Sequence, residues 1–267
     1  MKTIKYTHKC VALVLGAAFI FAACSSAPVY QRDERVLLYP EAGKKSPALS
    51  FSVRLLDSAD ENLQPLLRSV LYDGKNCADY TESLFITAKN KYIDSKPPAA
   101  PADVEDAKSM NWTYSEESAD AVYNNVIVIE RVRDIYEGGA HPMHEKEFIV
   151  LDTKQAKQVR LTELVTKDGL AALKAQLEAR LRTQYAEQSG TGTALSKNAT
   201  LTDIGFFDNS ITVPEQNFFV KPSGLVFVWN PYAIAPYSFG IIEVELRYAE
   251  IKNLLTAEGE ALFQSMR

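Results

Sequence analysis

Two segments near the C-terminus, GLVFVWN (224–230) and IIEVELRY (241–248), carry the strongest structural signal in this chain of 267 residues. Both are dense in β-branched and aromatic residues and read as strands, and the connection between them holds Pro231 and Pro236, which bar a continuous helix. Whatever else the chain does, it must build a sheet here and cover it. The following segment reads as a short helix that closes the unit.

Upstream, PALSFSVRLLD (47–57) places Leu49, Phe51, Val53 and Leu55 on one face, the alternation of a half-buried strand. DENLQPLLRSVLYDG follows, with Asp60 as an N-cap, Pro65 in the first turn, an apolar stripe of Leu63, Leu66, Leu67, Val70 and Leu71, and Gly74 as the stop. DYTESLFITAKNKYID predicts a second helix, ended by the proline-rich loop SKPPAAPAD. Segments 111–118 and 121–136 read as antiparallel strands, and MHEKEFIVLD as a third, with Glu145, Glu147 and Asp152 on polar steps and Phe148 and Val150 inward. The longest helix is predicted from Thr162 or Asp168 to Gln188, on a stripe of Leu170, Leu173, Leu177, Leu181 and Tyr185. With 46% hydrophobic and 24% charged residues the chain suits one large domain or two small ones. The pattern predicts an α+β fold: antiparallel sheets with packed helices, in two subdomains forming one unit.

The first 23 residues read differently. Lys2, Lys5 and Lys9 precede CVALVLGAAFIFAA, an apolar run of 14 residues, too short to span a bilayer comfortably, and small residues lead to Cys24. FAAC followed by SSAP resembles the lipobox of bacterial lipoproteins, in which the cysteine is acylated and becomes the mature N-terminus. Phe21 stands where an aliphatic residue is usual. On this reading 1–23 is a signal peptide, 24–46 a polar tether, and the protein is held on a membrane through Cys24 without crossing it. Cys10 leaves with the signal, so Cys77 alone remains as a thiol and no internal disulfide forms. Cys77 has no neighbour in sequence that would activate it, and reads as a packed residue.

Removing the signal takes away three lysines and no acidic residue, so the formal charge of -5 becomes -8. An acidic body repels nucleic acid and anionic lipid and attracts basic proteins.

The stretch YEGGAHPMHEKEF (136–148) is dense in residues capable of chemistry. A zinc site through His141 and His144 fails on geometry, because Pro142 and the alternation that follows put the pair in a turn and strand, pointing to opposite faces. A serine hydrolase lacks its strand-turn-helix GxSxG motif, and KPSG around Ser223 precedes a strand instead. The Gly/Ser/Thr loop at 189–200 lacks the lysine-bearing end of a phosphate cradle, so no cofactor is implied. Two readings stay open for 136–148. Gly138 and Gly139 supply positive φ at a tight connection, which His141 ties by hydrogen bonds to backbone or to Tyr136. Alternatively the loop lies beside NPYAIAPYS (230–238), a proline-stiffened aromatic segment suited to binding. Tyr232 and Tyr237 are then surface anchors, while Trp229 reads as core; Trp112 is a further aromatic able to stack on a sugar.

These two segments together resemble a family. Tyr136, Gly138 to His141, Trp229 to Tyr232, Ile234 to Tyr237, Gly240 and Ile242 to Val244 are similar to the conserved run of the RsiV-like extracellular domain, domain of unknown function 3298, which a smaller partner, 4163, usually precedes. The resemblance implies a C-terminal domain over 136–255, a partner over 47–135, and a C-terminal tail over 256–267. It also implies an extracytoplasmic binding module with Tyr136, Gly138, Gly139, His141, Asn230, Tyr232 and Tyr237 as binding residues and lysozyme or peptidoglycan as partner. The family's namesake is a membrane anti-sigma factor whose outer domain binds lysozyme, and other members precede a peptidoglycan deacetylase. This chain departs from both, so ligand binding at the bacterial envelope, on the periplasmic face, is expected rather than sigma-factor release. The expectation favours a binding protein over an uncharacterised hydrolase.

Overall fold

In the computed structural model, the described residues are 30–40, 47–95, 111–186 and 199–266. The signal segment, Cys24, most of the proline-rich loop and the Gly/Ser/Thr loop therefore lie largely or wholly outside them. Six strands form one sheet in sequence order: β1 (Tyr30–Pro40), β2 (Pro47–Ser58), β3 (Trp112–Tyr123), β4 (Val126–Tyr136), β5 (Met143–Asp152) and the short β6 (Lys157–Gln158). A second, antiparallel sheet holds β7 (Phe218–Lys221), β8 (Gly224–Trp229) and β9 (Ile242–Arg247). The fold is α+β, as the periodicities predict.

Local chemistry explains most boundaries. Helix α1 (Leu63–Leu71) starts where the Asp60 carboxylate accepts from the backbone N–H groups of Asn62 and Leu63, at 2.8 and 3.3 Å. Its stop uses Asp73 and Gly74, both at positive φ. Helix α2 (Cys77–Asp94) is capped by Asn76, whose side chain accepts from Asp79 N–H. The long amphipathic run divides into α3 (Leu161–Leu164) and α4 (Lys167–Ala186), because Val165 leaves the helix to bridge Leu255.

Three sequence expectations are corrected. Residues 30–40, read as tether, form β1: the charged YQRDER half hides an alternation in which Leu37 and Tyr39 face the helices while Val36 and Leu38 face outward. The pair β2 and β3 is parallel, with Leu49 opposite Trp112, because α1 and α2 lie between them in the chain and carry it back across the sheet. Residues 256–267, read as a tail, follow the one-turn helix α5 (Tyr248–Ile251) and contain α6 (Ala257–Ser265), capped by the Thr256 hydroxyl and anchored by buried Leu262 and Phe263.

Two cores share one wall. On β4 and β5, Ile127, Ile129, Ile149 and Leu151 pack with β2, α1 and α2. The alternate residues Val126, Val128, Phe148 and Val150 pack with the second sheet, α3, α4 and α6. These strands are buried on both faces, which is why their sequences run apolar rather than alternating. The division anticipated at 135/136 falls within β4, one residue before its end, and so separates β4 from β5, its hydrogen-bonded neighbour in this wall.

Candidate functional site

The β4–β5 and β8–β9 connections meet at one end of the shared wall. In the first, Gly138 sits at φ +81, a conformation that costs an L side chain about 1–2 kcal/mol. In the second, Ala233 N–H donates to Asn230 O at 3.0 Å, closing a turn with Pro231 and Tyr232 in the middle. Tyr232 has φ +69. Proline at the second position and positive φ at the third mark a type II turn, where glycine or asparagine is usual and an aromatic side chain is strained. Buried Ile234 and Ala235 anchor the segment, and Phe207 N–H holds Ile234 O at 3.0 Å.

The two connections interlock through His141. Its ring stacks on Tyr237 with centroids 3.6 Å apart, and its Nε2 lies 3.3 Å from the Tyr232 hydroxyl. Nδ1 lies 3.1 Å from Pro142 O, which also accepts from the Tyr237 hydroxyl at 2.6 Å. A carbonyl only accepts, so the Nδ1 contact needs a proton on Nδ1, and in that neutral tautomer Nε2 is free to accept a hydrogen bond from the Tyr232 hydroxyl. The result is a surface of two phenol rings and an imidazole, with Tyr232 49% exposed. Such a surface can stack on a sugar face or an apolar side chain and offers polar groups at its rim. Glu137 in the same loop is tied to Lys91 of α2 at 2.5–2.6 Å, fixing the loop from behind.

The remaining sequence-predicted residues have separate places. Tyr136 ends β4 opposite Thr113. Gly139 is exposed in the turn but does not take the positive φ expected of it, which falls on Gly138 alone of the two. His144 pairs across the strands with Asp134, not with His141. Trp229 and Trp112 are buried, and Trp229 donates to Thr212 O at 2.9 Å. Cys77 is buried, and burial pushes its thiol up to about 12, leaving it protonated.

Asn230 has a task that the sequence reading missed. Its Oδ1 accepts from Lys146 N–H at 2.8 Å and its Nδ2 donates to Lys146 O at 3.0 Å. Asn217, just before β7, accepts from Phe148 N–H at 2.9 Å and donates to the same Lys146 O at 3.0 Å. Two side-chain amides thus stand in for a neighbouring strand along β5 and lock the second sheet to the first. For Asn217 the only sequence signal is an amide immediately before an aromatic strand.

A buried polar cluster also escaped the sequence reading. Glu116, 1% exposed, accepts from the Tyr114 hydroxyl at 2.7 Å and from Tyr80 at 3.3 Å, with Arg133 3.6 Å and Arg131 3.9 Å away. Burial, with Glu116 adding to it, pushes the Tyr80 phenol up to about 12 and raises Tyr114 as well, so both stay protonated and donate. Arg131 continues the cluster to Leu71 O at 2.7 Å and to Glu147. The signal was a glutamate on the apolar steps of β3, beside Trp112 and Tyr114.

Residues 162–249 match the family model described as "Protein of unknown function (DUF3298)". The chain carries a DUF3298 domain. A crystal structure of a DUF3298 family member from Bacteroides fragilis shares the fold, with TM-score 0.71 and 22% identity over 90% of this chain and 98% of that one. A DUF3298 family protein from Pseudomonas aeruginosa aligns with TM-score 0.62 and 17% identity over 87% of this chain and 96% of that one. No curated protein sequence matches. The matched DUF3298 span contains Asn230, Tyr232 and Tyr237, whereas His141, which completes the patch, comes from outside it.

Proposed function

We propose that this DUF3298 chain is a binding protein of the bacterial cell envelope, anchored through acylated Cys24 on the periplasmic face, whose ligand docks on Tyr232, His141 and Tyr237. The observation that carries the reading is Tyr232, an aromatic residue held half-exposed at φ +69 by a proline turn and a histidine. Backbone strain at an exposed aromatic favours recognition over packing, since a buried role would not need it. Lysozyme or another basic wall-lytic protein is the leading ligand, supported by the RsiV-like resemblance and by the chain's formal charge of -5.

Calorimetric titration of the purified protein with c-type lysozyme, at low and at physiological salt, tests this. The expected result is binding at micromolar affinity or tighter, about -8 kcal/mol, weakened by salt and reduced at least tenfold in Tyr232→Ala. No heat at either salt sinks lysozyme as the ligand. The second reading is a peptidoglycan glycan, favoured by the ring surface itself. With both tryptophans buried, that reading predicts quenching of tyrosine rather than tryptophan fluorescence by muropeptides, lost in Tyr232→Ala. Binding of either ligand that is indifferent to Tyr232→Ala would remove the patch from the account.

A further inference from the structure

The strand β1 is an edge: among the described residues it pairs with β2 alone. From Tyr30 to Tyr39 its ladder runs without a shift, so alternate N–H and C=O groups project in a straight row from the far side. Natural edges are blunted by lysine, proline, a bulge or a covering element. Charge is confined here to Arg32, Asp33, Glu34 and Arg35, and the only irregularity falls at Tyr39/Pro40. Between them Val36 is 66% and Leu38 55% exposed on the outward face.

We propose that β1 pairs with β1 of a second copy of this chain, antiparallel about a two-fold axis through Leu37, joining two six-stranded sheets into one. Charge and shape complementarity along the strand select this register. A two-fold axis perpendicular to a sheet keeps each face on its own side, so it passes through a residue that meets its own copy. An axis through Arg32, Asp33, Glu34 or Arg35 sets like charges directly opposite, which destabilises a pair. An axis through Val36 puts Glu34 against Leu38. One through Leu38 puts Val36 against Pro40, which has no N–H to give.

The axis through Leu37 leaves only its outermost pair imperfect, Glu34 against Pro40, which lies beyond the shift at Tyr39/Pro40. Val36 meets Leu38 on the outward face, twice by symmetry, and Leu37 meets Leu37 on the helix face. Arg35 arrives beside Tyr39 with its charge already matched by Asp33, at 2.6 and 2.7 Å. That neutralisation matters because Lys89 stands 5.7 Å over the same Tyr39 ring.

Sedimentation equilibrium of the purified protein over a concentration series tests the pairing. The average mass rises toward twice the monomer value, and V36K/L38K, which restores the charged guard of ordinary edges, weakens association at least tenfold. Near-native circular dichroism of V36K/L38K shows that the fold is kept. Register is read by oxidation in a background with Cys10 and Cys24 changed to Ser, since Cys77 is buried. A mixture of V36C and L38C chains crosslinks several-fold more than either alone. A monomer at every concentration, a dimer indifferent to V36K/L38K, or crosslinking equal in single and mixed samples each overturns the proposal.

Discussion

Along β5 the backbone groups of Lys146 and Phe148 meet the amides of Asn217 and Asn230, whereas along β1, at the other side of the same sheet, no described residue pairs with the far side of the strand. Both flanks present the same N–H and C=O groups. They differ in what lies beyond. The β5 flank is roofed by the second sheet, so a group left unpaired there loses water as well as its partner. Among the described residues nothing roofs the far side of β1, where water satisfies the backbone at little cost until another strand arrives. A sheet flank is therefore finished by side chains where it is buried, and left open to a partner where it is not.

The contrast is broken most directly by N217A/N230A. Losing both amides strands Lys146 N–H, Phe148 N–H and Lys146 O, and should lower stability by about 3 kcal/mol, with each unsatisfied group costing about 1–3 kcal/mol. Because both amides donate to Lys146 O, the double change should exceed the sum of the singles by roughly 0.5–1 kcal/mol. Urea midpoints of the four proteins measure this, and additive singles would mean that the two amides act independently.

Acid separates this clamp from the ionic contacts elsewhere. Arg247 holds the Glu250 carboxyl, through its side chain and its backbone N–H, down to about 2, and Arg180 assists. A depressed folded-state pKa gives stability that is present above the unfolded value, about 4.3, and lost as pH falls toward 2. The native protein should therefore weaken through that window, and Glu250→Gln should flatten the loss. Amides do not titrate, so the penalty of N217A/N230A should be the same at pH 3.5 and pH 7. A penalty that changes with pH would implicate the neighbouring charges of Glu147 and Arg131 in the clamp.

Smaller effects are expected at the surface. Tyr232→Asn relieves the positive φ and should raise stability by about 0.5–1 kcal/mol while weakening ligand binding, the exchange expected of a strained site. Thermal unfolding and titration on one preparation check both halves, and a destabilised variant would mean that the ring is held for packing. Each lysine of V36K/L38K should change the stability of the isolated monomer by no more than about 0.5 kcal/mol, as substitutions at solvated positions do. A larger loss in dilute protein would show that β1 is finished by contacts within its own chain.

How far the sequence could be read follows from the range of the forces involved. Strands β2, β4, β5, β8 and β9 and helices α1, α2 and α4 were legible because periodicity, caps and prolines act over a few residues. The aromatic loop and the His141 turn were legible as candidates for the same reason, their residue types being unusual at that spacing. Strand β1 was not, since the charges of Arg32 to Arg35 mask an alternation that matters only once α2 covers one side. The roles of Asn217, Asn230 and Glu116 were equally hidden. An asparagine in a loop and a glutamate in a strand are ordinary until a partner 69, 84 or 36 residues away is brought to them.

The sequence by itself determined that this chain is an α+β protein with a DUF3298 segment, where most of its elements lie, that the turn at Gly138 would be tight and that prolines would stiffen the loop at 230–238. Tertiary structure alone decided that β2 and β3 run parallel, that β4 and β5 are one wall serving two cores, that His141 bridges Tyr232 and Tyr237, and which sheet flank is closed. Conformational preference is a property of a residue and its neighbours, whereas pairing and burial depend on which distant surface arrives to displace water.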